Sequence, residues 1–454
     1  MSMLAAVILA AGKGTRMKSE LPKVLHCVAG LPMLSYVLEA AEAAGCARKI
    51  VVIGFGAGKV AAIVEGQAEL AEQKAQLGTG HAVMQAKPLL SGFDGTVMIL
   101  CGDTPLLDGR ELRRFYEHHI GVGNKATVLT AVLKDASGYG RIVRGGDGRV
   151  AKIVEQKDAD IQELAIKEIN TGIYCFDGRE LFSALETVGC DNAQGEYYLT
   201  DVIARLVEKG AKVGAVAAAD KDTVMGVNSR RDLAAAEKWM RMKTNCSLMD
   251  EGVTIIDPDS TYIDTTAIIG RDTIVRPNTW IEGNTVVGKD CVIGPNVRLS
   301  NTQVGDGSVL HFTYAHDAAV GRNANIGPFV HIRPGTRLAD DVKVGNFVEV
   351  KNSWVGKGSK LPHLTYVGDA DIGENVNMGC GTVTVNYDGK KKYRTKIGDN
   401  AFVGCNANLI APVELGENCY VAAGSTINKE VPPDALGIAR TRQQNIENWK
   451  RISK

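Results

Sequence analysis

Two rhythms of apolar and polar positions divide the 454-residue chain. Up to about residue 225, short valine- and isoleucine-rich runs alternate with segments of helical periodicity. "AAVILA" (5–10), "KIVVIG" (49–54), "GTVMILCGD" (95–103) and "ATVLTAVL" (126–133) read as strands of the buried, parallel kind. Between and after them, "PMLSYVLEAAEAAG" closes on Gly45, "GTGHAVMQAKPLL" spans 78–90, and "YYLTDVIARLVEKG" closes on Gly210, all with helical spacing. "RIVRGGDGRVAKIVEQ" predicts a hairpin turning at Gly145–Gly148. This alternation predicts an α/β sheet covered on both faces. Residues 229–249 hold strong helix formers without glycine or proline, with Ser229 or Asn228 as the expected N-cap. They predict a helical arm.

Beyond residue 252 an aliphatic residue followed by glycine recurs, many of the steps being six residues or a multiple of six. Ile269-Gly270, Val287-Gly288, Ile293-Gly294, Val344-Gly345, Ile397-Gly398 and Leu415-Gly416 are examples. One inward aliphatic per six, beside a small corner residue, builds a triangular parallel β-helix whose coils stack as a solenoid. Two places are expected to leave the register. Residues 306–320 lose the repeat briefly, and "TVNYDGKKKYRTK" (384–396) is a polar insertion of the kind that carries binding.

Charge changes this picture little. Lysine plus arginine equals aspartate plus glutamate at 52 each, which argues against a large nucleic-acid or anionic-membrane surface while leaving room for a small basic pocket. No stretch approaches the length of a membrane span. The apolar run Met3–Ala11 has no basic segment before it and is followed at once by Lys13, Arg16 and Lys18, so it reads as a strand and not a leader. Ten scattered cysteines without zinc spacing suit reduced thiols and a cytoplasmic setting.

The loop Gly12-Lys13-Gly14-Thr15-Arg16 follows the first strand. It lacks the third glycine of a dinucleotide fingerprint, since Met17 stands there, and it lacks the Lys-Ser/Thr ending of a P-loop. What remains is a cradle of backbone N–H groups beside cationic Lys13, Arg16 and Lys23, suited to phosphate, or else a plain strand-to-helix turn.

"LAAGKGTRM…LPKVL" resembles the signature of the sugar-nucleotide pyrophosphorylase family. "QLGTGHA" (76–82), Gly102-Asp103, "GYGRI" (138–142), "EQKD" (155–158), "NTG" (170–172) and "GVN" (226–228) extend the likeness. With the hexapeptide half and "PHLTYVGDADIGENVNMG", residues 4–440 resemble the bacterial bifunctional family combining N-acetylglucosamine-1-phosphate uridylyltransferase and glucosamine-1-phosphate N-acetyltransferase activities. The resemblance implies a Rossmann-like nucleotidyltransferase domain over 1–228, a helical linker over 229–249 and a left-handed β-helix acetyltransferase domain over 250–454. It also implies a homotrimer acting on UTP, glucosamine 1-phosphate, N-acetylglucosamine 1-phosphate and acetyl-CoA.

Asp103 ends a strand where open α/β sheets place their ligands, and a lone carboxylate there suits magnesium. By resemblance, Asp103 and Asn228 hold Mg2+, and Lys23 and Arg16 stabilise phosphates. Leu9, Ala11 and Gly12 would contribute backbone contacts, Gln73, Gly78 and Thr79 would read the uracil, and Gly140, Glu155 and Asn170 the sugar. Cys101 stands where relatives often carry tyrosine.

Acetyl transfer to an amine needs a base near neutral pH, which suits histidine. His363 lies in the polar stretch "KLPHLTYVGD", as a base or as a surface histidine, and the resemblance makes it the general base. It also places Arg333, Lys351, Tyr366, Asn377 and Lys392 on the sugar phosphate, and Cys380, Asn386, Tyr387, Cys405, Ala423 and Arg440 on acetyl-CoA. Cys380 and Cys405 depart from the alanine and serine expected there, which predicts sensitivity to thiol reagents. The rival readings are a single-activity pyrophosphorylase whose β-helix only assembles or regulates, and a non-enzymatic assembly protein.

Overall fold

The computed structural model describes residues 3–449 and falls into two compact units, the first ending at Met240 and the second beginning at Arg241. The outermost parts of the expected domains, residues 1–2 and 450–454, lie outside the described residues.

The first unit is built on a nine-stranded sheet. Its strands run, in spatial order, Val213–Ala217, Ala126–Val132, Glu168–Asp177, Gly95–Cys101, Met3–Leu9, Arg48–Ile53 and Glu69–Glu72. The hairpin Arg141–Arg144/Val150–Val154 joins at Glu168–Asp177. Alternate residues feed two cores. Leu4, Ala6 and Ile8 pack on one face, and Ala5 and Val7 on the other. The expected burial on both faces is therefore present, but the sheet is mixed. Glu168–Asp177 runs antiparallel to both its neighbours. An apolar run reports burial of both faces and not strand direction. The expected helix over 78–90 is also shorter, Thr79–Met84, with turns following over 85–92 across Pro88, which lacks an N–H and restricts the residue before it.

The helix Arg230–Asp250 starts from Ser229, whose Oγ accepts from Asp232 N (3.2 Å) while Asp232 Oδ2 accepts from Ser229 N (2.8 Å). This reciprocal pair satisfies two N–H groups at the helix start. Ala236 and Met240 pack with Val28, Met33 and Val227 in the first unit. In the second unit Arg241 lies 4.2 Å over the Tyr262 ring, and Asn245 Nδ2 donates to Pro258 O and Thr261 O.

The second unit consists of three parallel sheets of 11, 10 and 9 strands, the three walls of a β-helix. Val275, Ile293, Leu310, Ile326, Val344 and Leu361 stack in register down one wall, all buried. The corners use αL residues. Asn400 and Asn418 have φ of 58° and 56°, which asparagine tolerates, and Asn400 Nδ2 donates to Asn418 Oδ1 (3.2 Å) on the next coil.

Residues 306–320 do not lose the repeat. Val309 pairs with Asn325 and Thr313 with Val330, so the ladders continue through them. The coil is merely shorter, sixteen residues from Leu310 to Ile326 against eighteen from Ile326 to Val344, with Phe312 and Asp317 turning the corners in the αL region. The other irregularity does leave the solenoid. Ile372 pairs with Ile397, a 25-residue coil, and the excess forms a small loop closed by an antiparallel bridge between Tyr387 and Lys392. Among the described residues no helix is long and apolar enough to cross a membrane.

Candidate active sites

In the first unit the chain turns sharply after Leu9. Gly14 takes φ 59°, and a Cβ there would sit 2.6 Å from the Lys23 Cβ, so glycine is what lets the loop close over Lys23. Lys23 Nζ ion-pairs with Asp103 Oδ2 and donates to Asn228 Oδ1 (3.0 Å), while Arg16 Nη2 donates to the same Asn228 oxygen (2.9 Å). Asn228 is brought there through the backbone, since Val227 N donates to Asp103 O (2.8 Å). Four residues from three distant parts of the chain thus meet on two oxygens. Asp103 Oδ2 and Asn228 Oδ1 form a donor set that suits a magnesium ion, which takes few protein oxygens and keeps its waters.

Lys23 and Asp103 line a cleft of ≈ 430 Å³ together with Leu9, Ala11, Gly12, Gln73, Gly78 and Thr79, whereas Arg16 and Asn228 reach those two residues from outside its lining. Gln73, buried, donates from Nε2 to Gly78 O (3.0 Å). Gly78 has φ 108° and lies so close to Tyr197 that a Cβ would fall 2.6 Å from its carbonyl oxygen. Gly80 N donates to Tyr197 O (2.8 Å), and Leu199 N donates to Thr79 Oγ1 (3.0 Å). Tyr197–Leu199 therefore fixes the loop 76–82, a role that no motif announced.

Gly140, Glu155 and Asn170 do not line that cleft. Asn170 N donates to Gly140 O (2.9 Å), and Asn170 Oδ1 accepts from Gly172 N (3.0 Å). Glu155 accepts from Thr200 Oγ1 (3.3 Å), and burial raises its carboxyl pKa above the usual value. Cys101 lines the cleft and points its thiol at Gly172 O (3.6 Å). Burial, with the Asp103 carboxylate beside it, pushes that thiol up to about 12, so it is held protonated.

In the second unit His363 is exposed, and its Nδ1 lies 2.8 Å from Asn346 Oδ1. With that oxygen as acceptor, Nδ1 carries the ring hydrogen and Nε2 keeps a free lone pair. The two residues face each other in register on adjacent coils. Asn346 was not singled out by motif, yet it lies one coil before His363.

On the next wall three cations gather around one another. Lys351 lies beside Lys392, and that neighbour, with burial and with Arg333, lowers its pKa below the ordinary lysine value. Arg333 is paired with Glu349 (2.7 Å). Tyr366 continues the wall from Glu349. Asn377 pairs with Lys360 on the neighbouring wall, so it stands apart from Tyr366 in register. Asp369, buried, accepts from Asn386 Nδ2 and Asn352 Nδ2, both 2.6 Å, and so fixes Asn386. Tyr387 is exposed and donates to Gly389 O (2.6 Å). Asp388 orders the lysine loop by accepting from Lys390 N (2.7 Å) and Lys391 N (2.6 Å).

One backbone hydrogen bond recurs along a single corner. Leu364 N donates to Asn346 O (3.1 Å), Asn406 N to Cys380 O (2.7 Å) and Gly424 N to Cys405 O (2.8 Å). Together with the Asn346–His363 and Lys360–Asn377 pairings, this places Asn346, His363, Cys380, Cys405 and Ala423 in one column, one residue per coil. Arg440 closes the column, its guanidinium donating to Ala423 O (3.0 Å).

A family model for nucleotidyl transferases matches residues 5–250, one for the GMPPB C-terminal domain matches 256–363, and one for bacterial transferase hexapeptides matches 394–429. The hexapeptide match agrees with the left-handed form expected for the β-helix. The chain is 55% identical to the bifunctional protein GlmU of Geobacillus sp. (strain WCH70), over 98% of this chain and 97% of that one. It is 54% identical to that of Geobacillus thermodenitrificans (strain NG80-2) with the same coverage, and 50% identical to that of Streptococcus suis (strain 98HAH33) over 98% and 96%. The identity extends along both units, so the chain belongs to the bifunctional GlmU family of nucleotidyl- and acyl-transferring enzymes.

Proposed function

We propose that the chain makes UDP-N-acetylglucosamine in two steps, acetylating glucosamine 1-phosphate from acetyl-CoA and then joining N-acetylglucosamine 1-phosphate to UTP with release of pyrophosphate. The point at issue between this reading and a single-activity pyrophosphorylase is the acetyl step. The observations that carry it are the Asn346–His363 hydrogen bond on one wall and the Arg333/Lys351/Lys392 cations gathered on the next wall of the same stretch of coils. An oriented base together with a cation cluster for phosphate is what an aminosugar phosphate requires.

In the acetyl step Arg333, Lys351 and Lys392 hold the phosphate, and His363 Nε2 takes the proton from the attacking amine. The amine adds to the thioester carbonyl, the C–S bond breaks, and CoA leaves as the thiol. Asn386, fixed by Asp369, stands with Tyr387 and the column Cys380–Cys405–Ala423–Arg440 as the acyl-donor site.

In the uridylyl step a phosphate oxygen of the sugar attacks the α-phosphorus of UTP in line, so catalysis is positioning and charge cancellation. Arg16 and Lys23 bind phosphate oxygens, and the loop at Gly12 offers N–H donors. Gln73, Gly78 and Thr79 receive the uracil, and Gly140, Glu155 and Asn170 the sugar. Asp103 and Asn228 would hold magnesium, which when bound supplies further neutralisation of the triphosphate.

The domains divide at 1–228 and 250–454, with the helical linker between. The assembly is a cytoplasmic homotrimer; association is supported by a corner ladder of exposed aromatics, in which Phe312 packs tilted against Phe329 (centroids 5.4 Å apart) and Phe329 stacks on Phe347 (5.2 Å). Such a ladder is a surface that a second copy would cover. The deciding experiment is thiol release from acetyl-CoA with glucosamine 1-phosphate. Release that requires the aminosugar supports the reading, and its absence in an enzyme active on UTP and N-acetylglucosamine 1-phosphate leaves the single-activity alternative.

A further inference from the structure

We infer that Cys380 is a covalent modification site for CoA itself, forming a mixed disulfide with CoA disulfide that closes the acetyl site. The inference rests on the reading of the His363–Arg440 column as the acyl-donor site. Along that column neighbouring coils are about 4.8 Å apart, so Cys380 stands one coil from His363 and Cys405 two. Chemistry fixes where a CoA sulfur must lie. The thioester sulfur is one bond from the carbonyl that the amine attacks, and the base serving that amine is His363. From His363 to Ala423 is three coils, about 14 Å, which suits an extended pantetheine arm. The guanidinium at Arg440 then stands where the arm gives way to phosphates. A CoA molecule seated this way brings its sulfur to the half-exposed Cys380 and carries it past the others.

The reaction is thiol–disulfide exchange. The Cys380 thiolate attacks one sulfur of CoA disulfide, the S–S bond of that molecule breaks, and a Cys380–S–S–CoA bond forms. The second CoA leaves as thiolate and takes up the proton that Cys380 lost. One disulfide is consumed and one is made, so no further oxidant is needed. The adduct fills the donor column and stops acetyl transfer, while the cleft at Lys23 and Asp103 is untouched.

The test is intact-mass and peptide mapping of the full chain after exposure to CoA disulfide or, separately, oxidised glutathione at equal concentration. One CoA per chain is expected, on Cys380. It should form on the order of 10²-fold faster than the glutathione adduct, as for a reactant held by a second contact, and acetyl-CoA should slow it. Acetyl transfer should fall in step and return with dithiothreitol, with uridylyl transfer constant. Cys405→Ser should keep the adduct and Cys380→Ala should lose it. The exposed Cys27, Cys190 and Cys246 serve as internal controls. Equal labelling by the two disulfides, mapping to Cys405 or to a control cysteine, or an internal Cys380–Cys405 disulfide in place of the adduct overturns the inference. Failure of the untreated enzyme to transfer acetyl groups is a separate result and removes the underlying reading.

Discussion

In the first unit the polar cluster beside the cleft comes from positions 16, 23, 103 and 228, joined by turns, a strand end and a backbone link from Val227 to Asp103. In the second unit Asn346, His363, Cys380, Cys405 and Ala423 come together because each lies one coil after the last. Tertiary folding assembles one site and counting assembles the other. The two therefore differ in what breaks them. A site gathered from separate loops is lost by removing a charge, and one written in a repeat is lost by shifting its phase.

The widest separation comes from crossed substitutions. Asp103→Ala should cut UDP-N-acetylglucosamine formation by roughly 10³-fold or more, the loss expected when a principal electrostatic partner goes. Acetyl transfer should stay near its original rate. His363→Ala should do the reverse, cutting acetyl transfer by about 10²–10⁴-fold, the usual worth of a positioned base. Both rates are read on one folded preparation of each variant. Loss of both activities in either variant breaks the comparison.

Phase is the next lever. One glycine inserted after Val376 should turn the following outward side chains off the column, because a one-residue slip exchanges the faces of a strand. Acetyl transfer should disappear and the thermal midpoint of the β-helix should drop. One glycine inserted after Gly146, at the exposed hairpin tip, should leave both activities almost unchanged. Acetyl transfer surviving the first insertion would show that the column is not the functional unit.

How much of this was legible in the chain follows the same contrast. The hexapeptide pairs specified the β-helix because one aliphatic in six is a direct image of one buried side chain per strand. The apparent gap at 306–320 came from trimmed corners, which alter spacing without removing an inward residue. In the first unit, valine-rich runs revealed burial but not that Glu168–Asp177 is antiparallel. Arg16, Lys23, Asp103 and Asn228 were found through motifs, and their meeting could not be read from spacing. Tyr197–Leu199, Thr200 and Asp369 escaped because they act by holding another residue, a relation with no local signature. Asn346 had a usable signal. It lies seventeen residues before His363, one coil in this repeat.

Asn346 offers a smaller effect. Asn346→Ala should lower kcat for acetyl transfer by about 2- to 10-fold, the worth of one hydrogen bond, with little change in KM for either substrate. Asn346→Asp places a carboxylate against Nδ1, which favours the protonated ring. The acid limb of its kcat profile should move to higher pH than in the unsubstituted enzyme. Unmoved profiles in both variants would leave Asn346 a structural residue only.

The smallest effect concerns the lysine pair proposed for the sugar phosphate. Lys351 has its pKa lowered, first by the neighbouring Lys392, so it gives up its proton at lower pH than an ordinary lysine. Rising pH should therefore remove one cation from the phosphate cluster early, and KM for glucosamine 1-phosphate should climb on the alkaline side while kcat holds. Lys392→Ala has two opposed consequences. It removes a cation, raising KM near neutral pH by about 2- to 5-fold, as for an exposed charge pair. It also relieves Lys351, which then stays protonated further into alkali, so the climb in KM should begin at higher pH. The direction of that displacement is the informative quantity, because the substrate amine titrates identically in both enzymes. Measured as KM against pH at saturating acetyl-CoA, an alkaline limb that stays in place in Lys392→Ala assigns the titration to the amine and not to Lys351.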